Sequence, residues 1–177
     1  MSQAVVVKRR GALIVVASTL FFASAAFAAS ADEKFMVQAA QDGAAEVAMG
    51  RMAQAKGSQP AVQEFGQRMV QDHSAAGAEL KSIAATQGVQ LPDGPTKKAE
   101  ATMRDLGKLD GQAFDRKYVD HMVDDHKKAI ALFEKEAKSG KDAQAQAFAQ
   151  KALPKLREHL SMAEQMQQSL QKVTQAK

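Results

Sequence analysis

The sequence predicts an all-α protein, a four-helix bundle with a short extra helix in the connection between its second and third long members. Three observations carry this. The 177-residue chain is 45% hydrophobic but only 5% aromatic, and its apolar and polar residues run to Ala, Leu, Met, Glu, Gln and Lys, which are good helix formers. Apolar positions recur every three, four or seven residues along four long segments, as one buried helical face requires. Breaks carrying Gly, Ser or Pro separate these segments.

The first element is a leader. Lys8, Arg9 and Arg10 form a basic cluster, an apolar run follows from Gly11 to Phe22, and small residues lead to Ala26, Phe27 and Ala28. This is the order of a secretory signal peptide with an A-x-A cleavage site. The competing reading, an uncleaved membrane anchor, fits less well, because the run is shorter than the roughly 20 residues a span needs. The expected organisation is therefore a signal peptide over 1–28 and a bundle over 29–177. The chain has no Cys, so lipid-modified cysteine, disulfide and thiolate chemistry are excluded. Removing the leader's three basic residues leaves 21 Lys and Arg against 20 Asp and Glu, a net of +1. So balanced a chain lacks the basic footprint of nucleic-acid binding. The destination expected is export, to the periplasm or the outer envelope, with no stable membrane span after cleavage.

The first helix is expected over about 32–56, with Phe35, Ala39, Met49 and Ala53 on one stripe and Gly57-Ser58 ending it. The second, about 60–87, opens on Pro60, which a first turn tolerates, and repeats Val62, Phe65, Met69, Ala76, Leu80 and Ile83. Gly88 to Pro95 is the least helical stretch of the mature chain, and Thr96 to Leu106 forms a short helix closed by Gly107. This longer connection is where a crossover along the bundle would occur. The third long helix, about 110–138, takes Asp110 as its N-cap, with a staple between Leu109 and Phe114. Its stripe is Phe114, Tyr118, Met122, Ala129 and Phe133. The fourth, about 142–171, carries Phe148, Leu153, Leu156, Ala163, Met166 and Leu170, with Pro154 predicting a kink or break near Gln150. Four such helices are each roughly 38 Å long and pack as a bundle.

Polar residues interrupt these stripes. Met69-Val70-Gln71-Asp72-His73 is echoed fifty-three residues later by Met122-Val123-Asp124-Asp125-His126. Both histidines follow a core Met by four and precede an Ala by three, so both lie on or beside the inward face. Glu46 and His159 hold similar places on the first and fourth long helices. His121, about 140° around the axis from His126, is expected toward solvent or a groove, near Asp125. One Glu and three His, one from each helix, make a candidate N/O metal site: Glu46, His73, His126 and His159. Asp72, Asp125, Met69 and Met122 stand as secondary candidates. Thioether sulfur would favour copper. The alternative is that these are core polar groups satisfied by neighbours, since buried polar groups need partners whether or not they have a function.

Taken together, Glu46-Val47-Ala48-Met49-Gly50, Phe65, the Met69 to His73 segment, Gly88 with Leu91-Pro92, Phe114-Asp115 with Tyr118, the Met122 to His126 segment, and Leu153-Pro154 with Leu156 and His159 resemble one pattern. It is that of the bacterial envelope family called domain of unknown function 4142, grouped with ferritin-like helical bundles. The resemblance covers essentially all of the mature chain. It implies an exported four-helix bundle of the periplasm or outer membrane with no established activity, and it makes Pro154 a family feature. One departure matters. Ferritin-like di-iron sites use Glu-x-x-His on two helices, whereas the residues three before the four histidines here are Val70, Tyr118, Val123 and Leu156.

Three functional readings follow. The first is a non-catalytic envelope bundle holding a transition metal, copper or zinc rather than di-iron. The second is a metal-free interaction or stress-protective module, with an envelope-protein partner or a homo-oligomer as its assembly. The third, a di-iron redox enzyme, is disfavoured by the missing Glu-x-x-His. No nucleophile elbow, phosphate loop or dinucleotide fingerprint is present.

Overall fold

The computed structural model describes residues 29–175; the expected leader and its cleavage site lie outside them. The described chain is helical: α1 Ala31–Lys56, α2 Pro60–Thr86, α3 Lys97–Gly107, α4 Gly111–Ser139 and α5 Ala143–Gln175. No helix among the described residues is long and apolar enough to cross a membrane.

Local chemistry starts these helices. The Ser30 hydroxyl accepts from the Glu33 N–H at the head of α1, and that of Thr96 accepts from the Ala99 N–H at the head of α3. Each meets an amide that has no partner within its helix. Asp110 stands at the N-cap position of α4 as expected but makes no side-chain capping bond. Its carboxylate reaches Lys56 instead, at 2.8 Å, tying the end of α1 to the start of α4. A cap that the sequence did not reveal works between helices. Buried Asp115 of α4 accepts from the backbone N–H of Ser58 at 2.9 Å and of Gln59 at 3.1 Å, which serves α2, whose own Gln59 gives no side-chain cap.

Pro154 neither ends nor interrupts α5, which runs unbroken from Ala143 to Gln175. Both Pro154 and Gln150 are exposed, where water can take up the carbonyl that proline leaves without an N–H. Of the kink or break expected near Gln150, the break does not occur.

The four long helices form the bundle. α1 packs chiefly on α2 and α4 chiefly on α5, and the two pairs meet through α1 with α4 and α2 with α5. The core divides lengthwise into two apolar clusters. One contains Met49, Ala53, Phe65, Met69, Leu106, Phe114, Tyr118, Met122 and Ala163; the other contains Phe35, Met36, Leu80, Ala84, Phe133, Phe148, Leu153 and Leu156. α1 and α5 run from the second cluster to the first, α2 and α4 from the first to the second. Every pair of neighbouring long helices is therefore antiparallel, and the connection carrying α3 must cross the length of the bundle between α2 and α4. Leu106 anchors α3 in the first cluster.

The tightest crossing joins α1 and α2. A methyl group added at Gly50 would lie 2.7 Å from the Gly66 carbonyl oxygen, and one at Gly66 would lie 2.6 Å from that of Gly50. Only glycine lets the two backbones approach this closely. This contact joins the C-terminal part of α1 to the N-terminal part of α2, one turn from Glu46 and two turns from His73, and so fixes where those side chains meet.

Candidate metal centre

Between the two apolar clusters lies one polar layer. Along α2 the order is Met69, His73, Leu80; along α4 it is Met122, His126, Phe133; and along α5 it is Leu156, His159, Ala163. Glu46 completes the layer from α1. The four residues that helical spacing placed inward meet at one height in the bundle: the ring centroids of His73, His126 and His159 are 5.4–5.8 Å apart. One ring nitrogen from each histidine lies within 4.8 Å of those of the other two. His126, His159 and Glu46 are buried, and the His73 side chain is 10% exposed. Phe65 packs edge-on to His159 and tilted against His126, so the first apolar cluster closes one side of the layer.

Each imidazole is held by one nitrogen. Glu46 Oε2 lies 3.0 Å from His73 Nδ1, and Oε1 lies 3.5 Å from His126 Nδ1. His126 Nδ1 is also 2.9 Å from the Met122 carbonyl oxygen, one helical turn back. His159 Nε2 sits 2.8 Å from Asp72 Oδ2. The opposite nitrogens, His73 Nε2, His126 Nε2 and His159 Nδ1, are buried without a hydrogen-bond partner. A buried polar atom left unpaired costs about 1–3 kcal/mol, and here three occur in one layer.

Charge follows the same geometry. Burial alone would raise the Glu46 carboxyl, but His73 and His126 beside it more than compensate and hold it down at about 2. Burial works against a charged His73, yet the adjoining Glu46 carboxylate outweighs it and raises the imidazole above its usual range. Burial pushes His159 down to about 4, helped by the other two imidazoles and opposed by Asp72. Glu46 and His73 thus favour each other's charged form, while burial favours the uncharged form of His159.

The secondary candidates divide. Asp72 joins the layer, through His159 rather than through its sequence neighbour His73. Asp125 does not: about 100° around the axis from His126, it pairs with His121 at 2.9 Å and with Lys128 at 3.4 Å. Met69 and Met122 are fully buried in the apolar cluster with Phe65 and Tyr118, and what Met122 gives the layer is its backbone carbonyl. Glu46 points into the layer as expected, and its oxygens face the Nδ1 atoms of two rings, on the side away from the free nitrogens of His73 and His126.

A family model described as "Domain of unknown function (DUF4142)" matches residues 17–166. The chain belongs to the DUF4142 family. No curated protein matches this member. Among solved structures it is similar to CopM in the Cu(II)-bound form, with a TM-score of 0.67 and 14% identity, covering 78% of this chain and 96% of that one. At that identity the likeness is one of fold.

Proposed function

We propose that this DUF4142 protein is an exported, non-catalytic bundle that binds one transition-metal ion through His73, His126 and His159, with Glu46 and Asp72 orienting the ligand rings. The observation that carries this reading is three buried or nearly buried imidazoles from three helices, each with one unpartnered nitrogen and each offering a ring nitrogen within 4.8 Å of the other two. Neutral imidazole is a ligand for zinc and copper alike. Ligating histidines ordinarily donate their second N–H to a carboxylate or a backbone carbonyl, the roles open to Glu46, Asp72 and Met122. Nitrogens at 2.0–2.1 Å from one ion stand roughly 3.3–3.6 Å apart, so a spread of up to 4.8 Å narrows on loading. The Cu(II)-bound state of the similar CopM structure supports copper as the first metal to test. The Lys8 to Ala28 leader pattern supports export.

The reading favours binding over turnover. Both carboxylates of the layer are engaged by histidines, and the bridging carboxylates of a di-iron enzyme have no counterpart in the sequence pattern. Metal-free protein titrated separately with Cu(II), Zn(II) and Fe(II) should take up one equivalent of Cu(II) or Zn(II). The H73A/H126A double variant should bind at least a hundredfold more weakly. Equal uptake by wild type and double variant would remove the site and leave the metal-free interaction module as the reading.

A further inference from the structure

A metal held by the three imidazoles has to reach nitrogens that are buried from solvent, and two openings beside the layer compete as its way in. The first is a cavity of about 440 Å³ on the side of the second apolar cluster, lined by His73, His159, Glu46 and Asp72 of the layer itself. Gly77, Lys81, Pro92 and Asp93 line it too and are exposed, so it reaches the surface along α2 and the connection that follows. A water molecule occupies about 30 Å³, so an ion carrying about six of them needs roughly 200 Å³ and fits. The lining sets four carboxylates, from Asp42, Glu46, Asp72 and Asp93, against the two ammonium groups of Lys81 and Lys155. That excess of negative charge draws cations in.

The second opening is a groove between α2 and α5 on the side of the first apolar cluster, where Ala61, Phe65, Arg68, Met162 and Met166 are among the lining residues. Its lining residues lie outside the layer. Phe65, fully buried, packs against the rings of His126 and His159 and stands between them and the groove. Arg68 spans the groove to Glu158 and Met162 of α5, and its guanidinium repels a cation.

We infer that the cavity is the route by which a metal ion enters and leaves the layer, kept open by the small side chains of Ala76 on α2 and Ala152 on α5. Ala76 follows His73 by three residues and Ala152 precedes His159 by seven, so each shares the helix face of its histidine. Both line the cavity and are half-buried. The free nitrogens are covered, so entry needs a ring to move, and His73, with 10% of its side chain exposed, is the least enclosed of the three. This inference rests on the metal-binding reading but concerns rates. A blocked path slows entry and exit alike and leaves affinity, which compares only the end states, unchanged.

The test mixes metal-free protein with Cu(II) in a stopped-flow instrument and follows quenching of Tyr118, the chain's single tyrosine, which lies in the apolar cluster beside the layer. A76F and A152F should each take up Cu(II) at least tenfold more slowly than wild type and release it to EDTA more slowly by a similar factor, with Kd within about threefold. A61F, which crowds the other groove, should load at the wild-type rate. D93K, at an exposed position in the connection, should slow uptake about threefold in about 0.01 M salt and not in about 1 M salt, where charges are screened. The route is overturned if A76F and A152F load as fast as wild type, if they lose affinity without slowing, or if A61F is the slow variant; the metal site stands in each case. If the two cavity variants fail to fold, D93K decides, and an unchanged rate at low salt overturns the route. Wild type that takes up no Cu(II) removes the site and the route together.

Discussion

Metal-free E46A protein should be less stable than wild type by about 2–4 kcal/mol, with the deficit largest near pH 5.5. Glu46 is 4% exposed and faces two buried imidazoles. Breaking a buried ion pair by removing one partner costs about 3–5 kcal/mol. The lower estimate here reflects an escape: His73 can give up its proton, since imidazole ordinarily titrates near neutrality. The pH profile follows from the two shifts. Glu46 is depressed from 4.5 to about 2, so its contribution is present above pH 4.5 and is lost as pH falls toward 2. His73 is raised above 6.5, so its contribution is present below pH 6.5 and fades as pH rises through the raised value. The pair is therefore worth most between these limits. Urea denaturation of wild type and variant at pH 5.5 and pH 8.5 checks this. A deficit that did not shrink at the higher pH would mean that Glu46 acts through packing alone.

The second large effect is thermal. Metal that binds only the folded chain stabilises it by about 2.7 kcal/mol at a hundred times its Kd. For a chain of this size that raises Tm by roughly 5–10 °C. Calorimetry of wild type with and without Cu(II), followed by a chelator, should show the rise and its reversal, and the H73A/H126A variant should show neither. An unchanged Tm in wild type is what the metal-free module predicts.

Much of this was legible in the sequence, because helical phase is. The spacing of Phe65, Met69, Leu80 and of Phe114, Tyr118, Met122 fixed which face of α2 and α4 is buried, and His73 and His126 followed from it. The same reasoning placed Glu46 and His159 inward. Phase says nothing about relative height or about which atom of a side chain meets which neighbour. That Asp72 serves His159 on α5 rather than adjacent His73 depends on how α2 and α5 dock, which no spacing within α2 encodes. The echo around His126 gave Asp125 the same standing as Asp72, yet His121 and Lys128 hold Asp125 outside the layer. Glu46 was found as a residue, but its place behind two rings required the crossing of α1 over α2 at Gly50 and Gly66. Local preferences ran out in a related way. Asp110 stands at the N-cap position, but its carboxylate goes to Lys56 of α1 rather than to the helix amides, and Pro154 does not break α5.

X-ray absorption of the zinc-loaded protein would test the central claim most directly. Coordination by His73, His126 and His159 predicts three imidazole nitrogens at about 2.0–2.1 Å, with the outer-shell scattering of intact rings. A sulfur shell from Met69 or Met122, or a shell containing a single imidazole, would contradict it.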